Sequence, residues 1–158
     1  MFTKALNHLY VTQPALYKQD YEPEGFEWIN CTSDKDNIIV FSRSTKKPEE
    51  TLVFVCNFAP VTHEEFCFGV PFAGTYREIL NSDAVEFGGN GRINTHVIRS
   101  CPTEKDHREN SLTICLAPMS VCVFAATPVK YVERAQTNET MGAKMEEQGS
   151  PEIVSGKF

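Results

Sequence analysis

Apolar residues recur along this chain with two different periods, and the change falls near Phe26. Phe2, Leu6, Leu9 and Tyr10 are spaced to form one stripe of a helix. Pro14 cannot continue that helical ladder, but it can open a new turn through Ala15, Leu16 and Tyr17. In "DYEPEG" Pro23 and Gly25 break the helix. From Phe26 onward the pattern is that of strands.

"NIIVFSRS" (Asn37 to Ser44) and "TLVFVCNF" (Thr51 to Phe58) are rich in β-branched and aromatic residues, with "TKKPEE" between them as a turn. In the second run, Leu52, Phe54, Cys56 and Phe58 share one face and Val53 and Val55 the other. A strand apolar on both faces is expected at the centre of a sheet, covered on both sides. "EEFCFGV" and "GTYREIL" predict two more strands, divided by Pro71 and Gly74. "NSDAVEFGGNGR" reads as a loop, with Gly88, Gly89 and Gly91 opening backbone conformations closed to other residues. "RINTHVIRSCPTEKDHREN" has a poor pattern and reads as a long excursion. "SLTICL" and "SVCVFAAT" then predict two strands joined through "APM" as a hairpin or a corner. Short strands at intervals of about ten residues predict an antiparallel all-β sandwich or barrel. We expect a sandwich of roughly seven or eight strands, preceded by a short helix. The polar text after Thr127, "QTNETMGAKMEEQGSPEIVSGKF", predicts a disordered tail over 128–158.

A length of 158 residues suits one domain with a substantial core. The net charge of −6 argues against binding to nucleic-acid phosphates or to anionic lipid surfaces. No apolar run approaches the ~20 residues that span a bilayer, and "MFTKALNHLY" lacks the features of a secretory signal. Cysteines stand at 31, 56, 67, 101, 115 and 122, most of them in apolar runs such as "FVCNF" and "LTICLA". They read as reduced, mostly buried thiols of a cytoplasmic protein. No C-x-x-C pair occurs, so no metal site is expected, and no motif calls for a cofactor.

Candidate chemistry is sparse. The acidic pairs Glu49–Glu50, Glu64–Glu65, Asp34/Asp36 and Glu146–Glu147 lie at turns or in the tail and read as solvated charge. His8, His63, His96 and His107 show no metal-binding spacing. A cysteine–histidine nucleophile is left open by the sequence but disfavoured by the apolar setting of the cysteines. Phe26, Trp28, Tyr76 and Phe87 could stack pyranose rings, or fill a core or a domain junction as large aromatics usually do.

Longer phrases carry a more specific signal. "LNHLYVTQPALYKQDYEPEGFEWIN" resembles the end of the catalytic barrel in 1,4-α-glucan (glycogen) branching enzymes of the α-amylase superfamily. "VCNFAPV" at 55–61, "FGVPFAGTYREILNSDA" at 68–84, "FGGNGR" at 87–92 and "SLTICLAP" at 111–118 continue the resemblance in order. It extends from Leu6 to about Phe124. The resemblance implies that 1–25 are the last helix and linker of a (β/α)8 barrel and that 26–127 are the C-terminal β-sandwich. It further implies that Leu6, Leu9, Tyr10, Phe26 and Trp28 pack between the two, and that Trp28 is a junction anchor more than a sugar platform.

The chain departs from the family in lacking the barrel, with its nucleophilic aspartate and acid/base glutamate, and the N-terminal carbohydrate-binding module. "INTHVIRSCPTEKDHREN" is also less typical, and the text after Thr127 has no counterpart. A (β/α)8 barrel alone takes about 250 residues, so the chain is expected to be inactive by itself and to support a barrel in cis. Two other functions are a free-standing glucan-binding module using Trp28, Tyr76 or Phe87, and a subunit docking onto a separate barrel. The supporting role predicts an exposed apolar helix face at Phe2, Leu6 and Leu9 when the chain stands alone.

Overall fold

In the computed structural model residues 1–33 and 36–129 are described. Beyond Val129 the expected tail lies outside the described residues. Helix α1 covers Phe2–Thr12. Pro14 stops it, and Pro14–Leu16 form a 3-10 turn whose missing N–H costs nothing at that position. Thr12 closes the end, its hydroxyl donating to the carbonyl of His8 at 2.7 Å. A second 3-10 turn, Pro23–Gly25, leads into the strands.

Eight strands follow among the described residues. They are β1 (Phe26–Ser33), β2 (Ile38–Arg43), β3 (Thr51–Asn57), β4 (His63–Val70), β5 (Gly74–Asn81), β6 (Ile98–Arg99), β7 (Asn110–Leu116) and β8 (Ser120–Pro128). They pair antiparallel in two sheets, one of six strands in the order β1-β2-β3-β8-β5-β6 and one of two, β4-β7. The expected antiparallel sandwich is what forms, and residues 1–128 make a single compact unit.

The alternation of side chains sets the faces. Val40, Val53, Val55, Tyr76, Cys122 and Phe124 of the large sheet meet Phe68, Val70, Leu112, Ile114 and Leu116 of the small one in the main core. Strand β3 lies between β2 and β8 and is covered on both faces, as its two-sided apolar pattern predicts. Its other face belongs to a second core, where Leu52, Leu80 and Val123 receive Leu9 of α1. A β-bulge between Glu78 and Leu80 serves both cores. It puts Ile79 and Leu80 together toward the helix and returns Asn81 opposite Cys122 on the inner face.

"APM" makes a corner and no hairpin, because β7 and β8 belong to different sheets. The buried side chain of Asn57 braces that corner, its amide donating to the carbonyls of Val61 and Ala117, both at 2.8 Å. All six cysteines are free, but only Cys56 and Cys122 are buried, and Cys31 and Cys101 are exposed. The expectation of mostly buried thiols fails because side chains in an apolar run alternate between faces, and Cys67 and Cys115 stand on the outer face of a two-stranded sheet.

The excursion contains β6 and a two-residue hairpin in which Lys105 and Arg108 exchange main-chain hydrogen bonds at 3.0 and 2.9 Å. Its central residues, Asp106 (φ 51°) and His107 (φ 59°), both sit in the left-handed region. Such a turn normally takes Asn-Gly or Asp-Gly, which is why its sequence gave no hairpin signal.

Candidate interdomain face

The inner face of the large sheet is closed by the small sheet, so its outer face is where further structure can be received. At one end of that face stands a row of aromatic rings. Register places Trp28 of β1 opposite Phe41 of β2, and Phe41 opposite Phe54 of β3. Directly opposed side chains of one face lie within contact distance, and the ring centroids are 5.9 and 4.8 Å apart. Phe26 joins the row, stacked on Phe41 at 5.3 Å and edge-on to Trp28 at 4.9 Å. Trp28 ends it at the sheet edge with 51% of its surface exposed.

Helix α1 covers the other end. Leu9 is buried against the sheet, and Phe2 meets Phe87 edge to face at 5.1 Å. Arg43 ties the following turn down, donating to Asp20 at 2.7 Å and to the carbonyl of Leu16 at 3.5 Å. Leu6, Tyr10 and Val11 remain exposed. The expected bare stripe of Phe2, Leu6 and Leu9 is therefore divided: Phe2 and Leu9 are covered by the chain's own sheet, and Leu6 is not. At about 100° per residue Leu6 lies only about 40–60° around the helix from Phe2 and Leu9, so it stands at the rim of the covered part of one stripe.

Among the stacking candidates, Tyr76 is wholly buried, with its hydroxyl donating to the carbonyl of Phe72 at 2.7 Å. It offers no ring face to a ligand. Phe87 uses its ring on Phe2 and lines a cleft of 490 Å³ between α1 and the 84–93 loop, with His8, Leu9, Leu80 and Glu86. Trp28 is the candidate with an open face. Phe41 and Phe54 join Trp28 only through register, because a strand sequence read singly shows their face but not their cross-strand neighbours.

Beneath the cleft, the inward carboxylate of Glu78 accepts hydrogen bonds from the Asn94 main chain (3.1 Å), the Asn94 amide (2.7 Å) and the Asn81 amide (3.1 Å). Asp83 organises the glycine loop, accepting the N–H groups of Asn90 at 3.1 Å and Arg92 at 2.9 Å. Gly89 passes so close that a Cβ there would strike the Asp83 main chain, so this glycine serves close packing and not a phosphate.

Burial raises the Glu78 carboxyl above its ordinary 4.5, outweighing the hydrogen bonds from Asn94, Asn81 and Cys122. A raised value in the folded state means stability that is fully present below the unfolded value and lost as pH rises through the folded one. The unfolding free energy of the wild-type chain relative to Glu78→Gln is thus expected to fall as pH rises above the ordinary carboxyl value of 4.5, read from urea midpoints. A difference that grows with pH would reverse the assignment. Burial also pushes the Cys56 thiol up to about 11 and raises Cys122 further, so neither is a thiolate nucleophile at neutral pH. No helix among the described residues is long and apolar enough to cross a membrane.

The sequence matches the model of the alpha amylase C-terminal all-beta domain over residues 28–127. It is 42% identical over 134 residues to the 1,4-alpha-glucan branching enzyme GlgB of Thermosynechococcus vestitus, covering 84% of this chain and 18% of that protein. The enzyme of the same name from Synechococcus sp. strain JA-3-3Ab is 44% identical over 140 residues (89% and 18%). That of Francisella tularensis subsp. mediasiatica is 42% identical over 123 residues (78% and 19%). The chain thus spans about a fifth of the length of the curated relatives it matches. Folded as an antiparallel sandwich and matching the family model over more than half its length, this chain belongs to the alpha amylase C-terminal all-beta domain family.

Proposed function

We propose that this chain acts as the C-terminal β domain of a 1,4-α-glucan branching enzyme, bracing a catalytic (β/α)8 barrel in cis. Such an enzyme cuts an α-1,4-linked glucan and rejoins the piece through an α-1,6 bond with retention, which needs two carboxylates about 5–5.5 Å apart on a rigid scaffold. The barrel supplies them, and this domain contributes stability and not chemistry. On this reading α1 and the turns up to Gly25 are the last barrel helix and linker, and 26–127 are the domain proper, at work in the cytoplasm.

One observation carries the reading. Leu6, Tyr10 and Val11 of α1 and the ring of Trp28 stay exposed, although Leu9, Leu52, Leu80 and Val123 on the same sheet face are covered. Exposed aromatics beside aliphatic side chains suit a dry protein interface, where they act as anchors. The relatives' greater length supports a partner in the same polypeptide.

The test is a graft. The matched residues of the Thermosynechococcus vestitus enzyme are replaced by those of this chain, and amylose is assayed for α-1,6 linkages. Branching is expected from the graft and not from the 158-residue chain alone. Tyr10→Asp and Trp28→Asp together are expected to cut the graft's activity at least tenfold, while the isolated chain still folds cooperatively, its midpoint lowered only by the ring contacts of Trp28 and Tyr10 that are lost. A graft that tolerates both charges would sink the bracing role. The half-exposed Trp28 also suits a second reading, a glucan-binding surface. Retarded migration in glycogen gels, lost in Trp28→Ala with folding intact, would favour it.

A further inference from the structure

Beyond any role beside a barrel, the excursion between β5 and β7 solves a problem that the small sheet creates. A two-stranded sheet has two open edges, and open edges present unpaired N–H and C=O groups to any passing strand. Strand β7 is especially exposed to this hazard, since "SLTICL" has high β-propensity, no charge and no proline.

Side chains and short bridges from one segment occupy these edges. On the β7 edge, Ser111 exchanges main-chain hydrogen bonds with Cys101 at 2.8 and 2.9 Å. Four residues on, the Asn94 side-chain amide takes the place of a strand. Its Oδ1 accepts the Cys115 N–H at 2.9 Å and its Nδ2 donates to the Cys115 carbonyl at 3.0 Å. On the β4 edge, the outward N–H of Gly69 donates to Asp106 Oδ2 at 2.8 Å. The same carboxylate reaches the large sheet through the Asn30 amide at 2.9 Å. Thr113 shares the outward parity of Ser111 and Cys115 and lies between them, exposed, with no outward partner among the described residues.

We infer that the 94–106 strap is an edge guard that keeps β7 from pairing with β7 of a second copy of this chain. Asn94 is its key residue, because without it the free edge lengthens from Thr113 to Cys115. A lone free residue cannot hold a strand, whereas two adjacent outward positions give the alternating bonds that begin a ladder.

The test uses the full 158-residue chain. Asn94→Ala is expected to raise the mass in solution by light scattering at least twofold over wild type. Adding Thr113→Pro should restore the wild-type mass. Proline there removes an outward donor, takes no bond from the β4–β7 ladder, and blocks an incoming strand. In the wild-type chain, hydrogen exchange should be slow at Ser111 and Cys115 and fast at Thr113. Three results would each overturn the inference. One is a folded Asn94→Ala with unchanged mass, another is association that survives Thr113→Pro, and the third is a Thr113 amide as protected as its neighbours.

Discussion

Phe68→Ala is expected to lower the stability of the chain by about 3–5 kcal/mol, the usual loss when a buried phenylalanine is truncated. Strands β4 and β7 share no ladder with the large sheet, so apart from side-chain bridges such as that of Asp106 their adhesion rests on inward side chains. Phe68 is the largest wholly buried side chain that the small sheet contributes. Its removal leaves a cavity where the two sheets meet, and two paired strands cannot collapse far without losing register. Against a total of about 5–15 kcal/mol for a typical domain, the variant sits close to unfolding at ordinary temperatures. Thermal denaturation should show a midpoint lowered by roughly 10–20 °C. A loss below about 1 kcal/mol would mean the small sheet is held by something other than this core.

Asp106→Ala should come second, at about 2–4 kcal/mol, since two hydrogen bonds to a charged acceptor vanish together. One of them lies on each sheet, so the carboxylate works as a staple across the seam. Alanine is also a poor occupant of a residue at φ 51°. The neighbouring position predicts the opposite sign. His107 is exposed at φ 59°, and His107→Gly should relieve the left-handed penalty and stabilise the chain by about 0.5–1 kcal/mol. Urea midpoints of the two variants moving in the same direction would contradict this account of the turn.

The strands whose side chains alternate or run apolar on both faces were legible from residues alone. β2, β3, β5, β7 and β8 lie within a residue or two of their expected limits, and β3 sits at the centre as its two-sided pattern implies. Three features were not legible, each for a physical reason. The bulge at Ile79 shifts the phase of β5 by one residue, and a period of two does not reveal where a strand slips. The excursion is held by Asn94 and Asp106 side chains, which leave no periodic trace. The corner at Ala117–Met119 and a hairpin demand similar turn residues, so only sheet membership separates them. At the candidate face, Phe26 and Trp28 could be named from the text, but Phe41 and Phe54 join them only through register.

The place of β8 has a consequence in time. This last strand of the sandwich lies between β3 and β5, so each lacks one of its two partners until residues 120–128 have been made. At translation rates of about 5–20 residues per second, β3 is complete roughly 3–13 s before Ser120 is added. Throughout that interval Leu52, Val53 and Val55 belong to a nascent strand with one side unmatched. The large sheet is therefore completed late in synthesis, when β8 enters its middle and joins β1-β2-β3 to β5-β6.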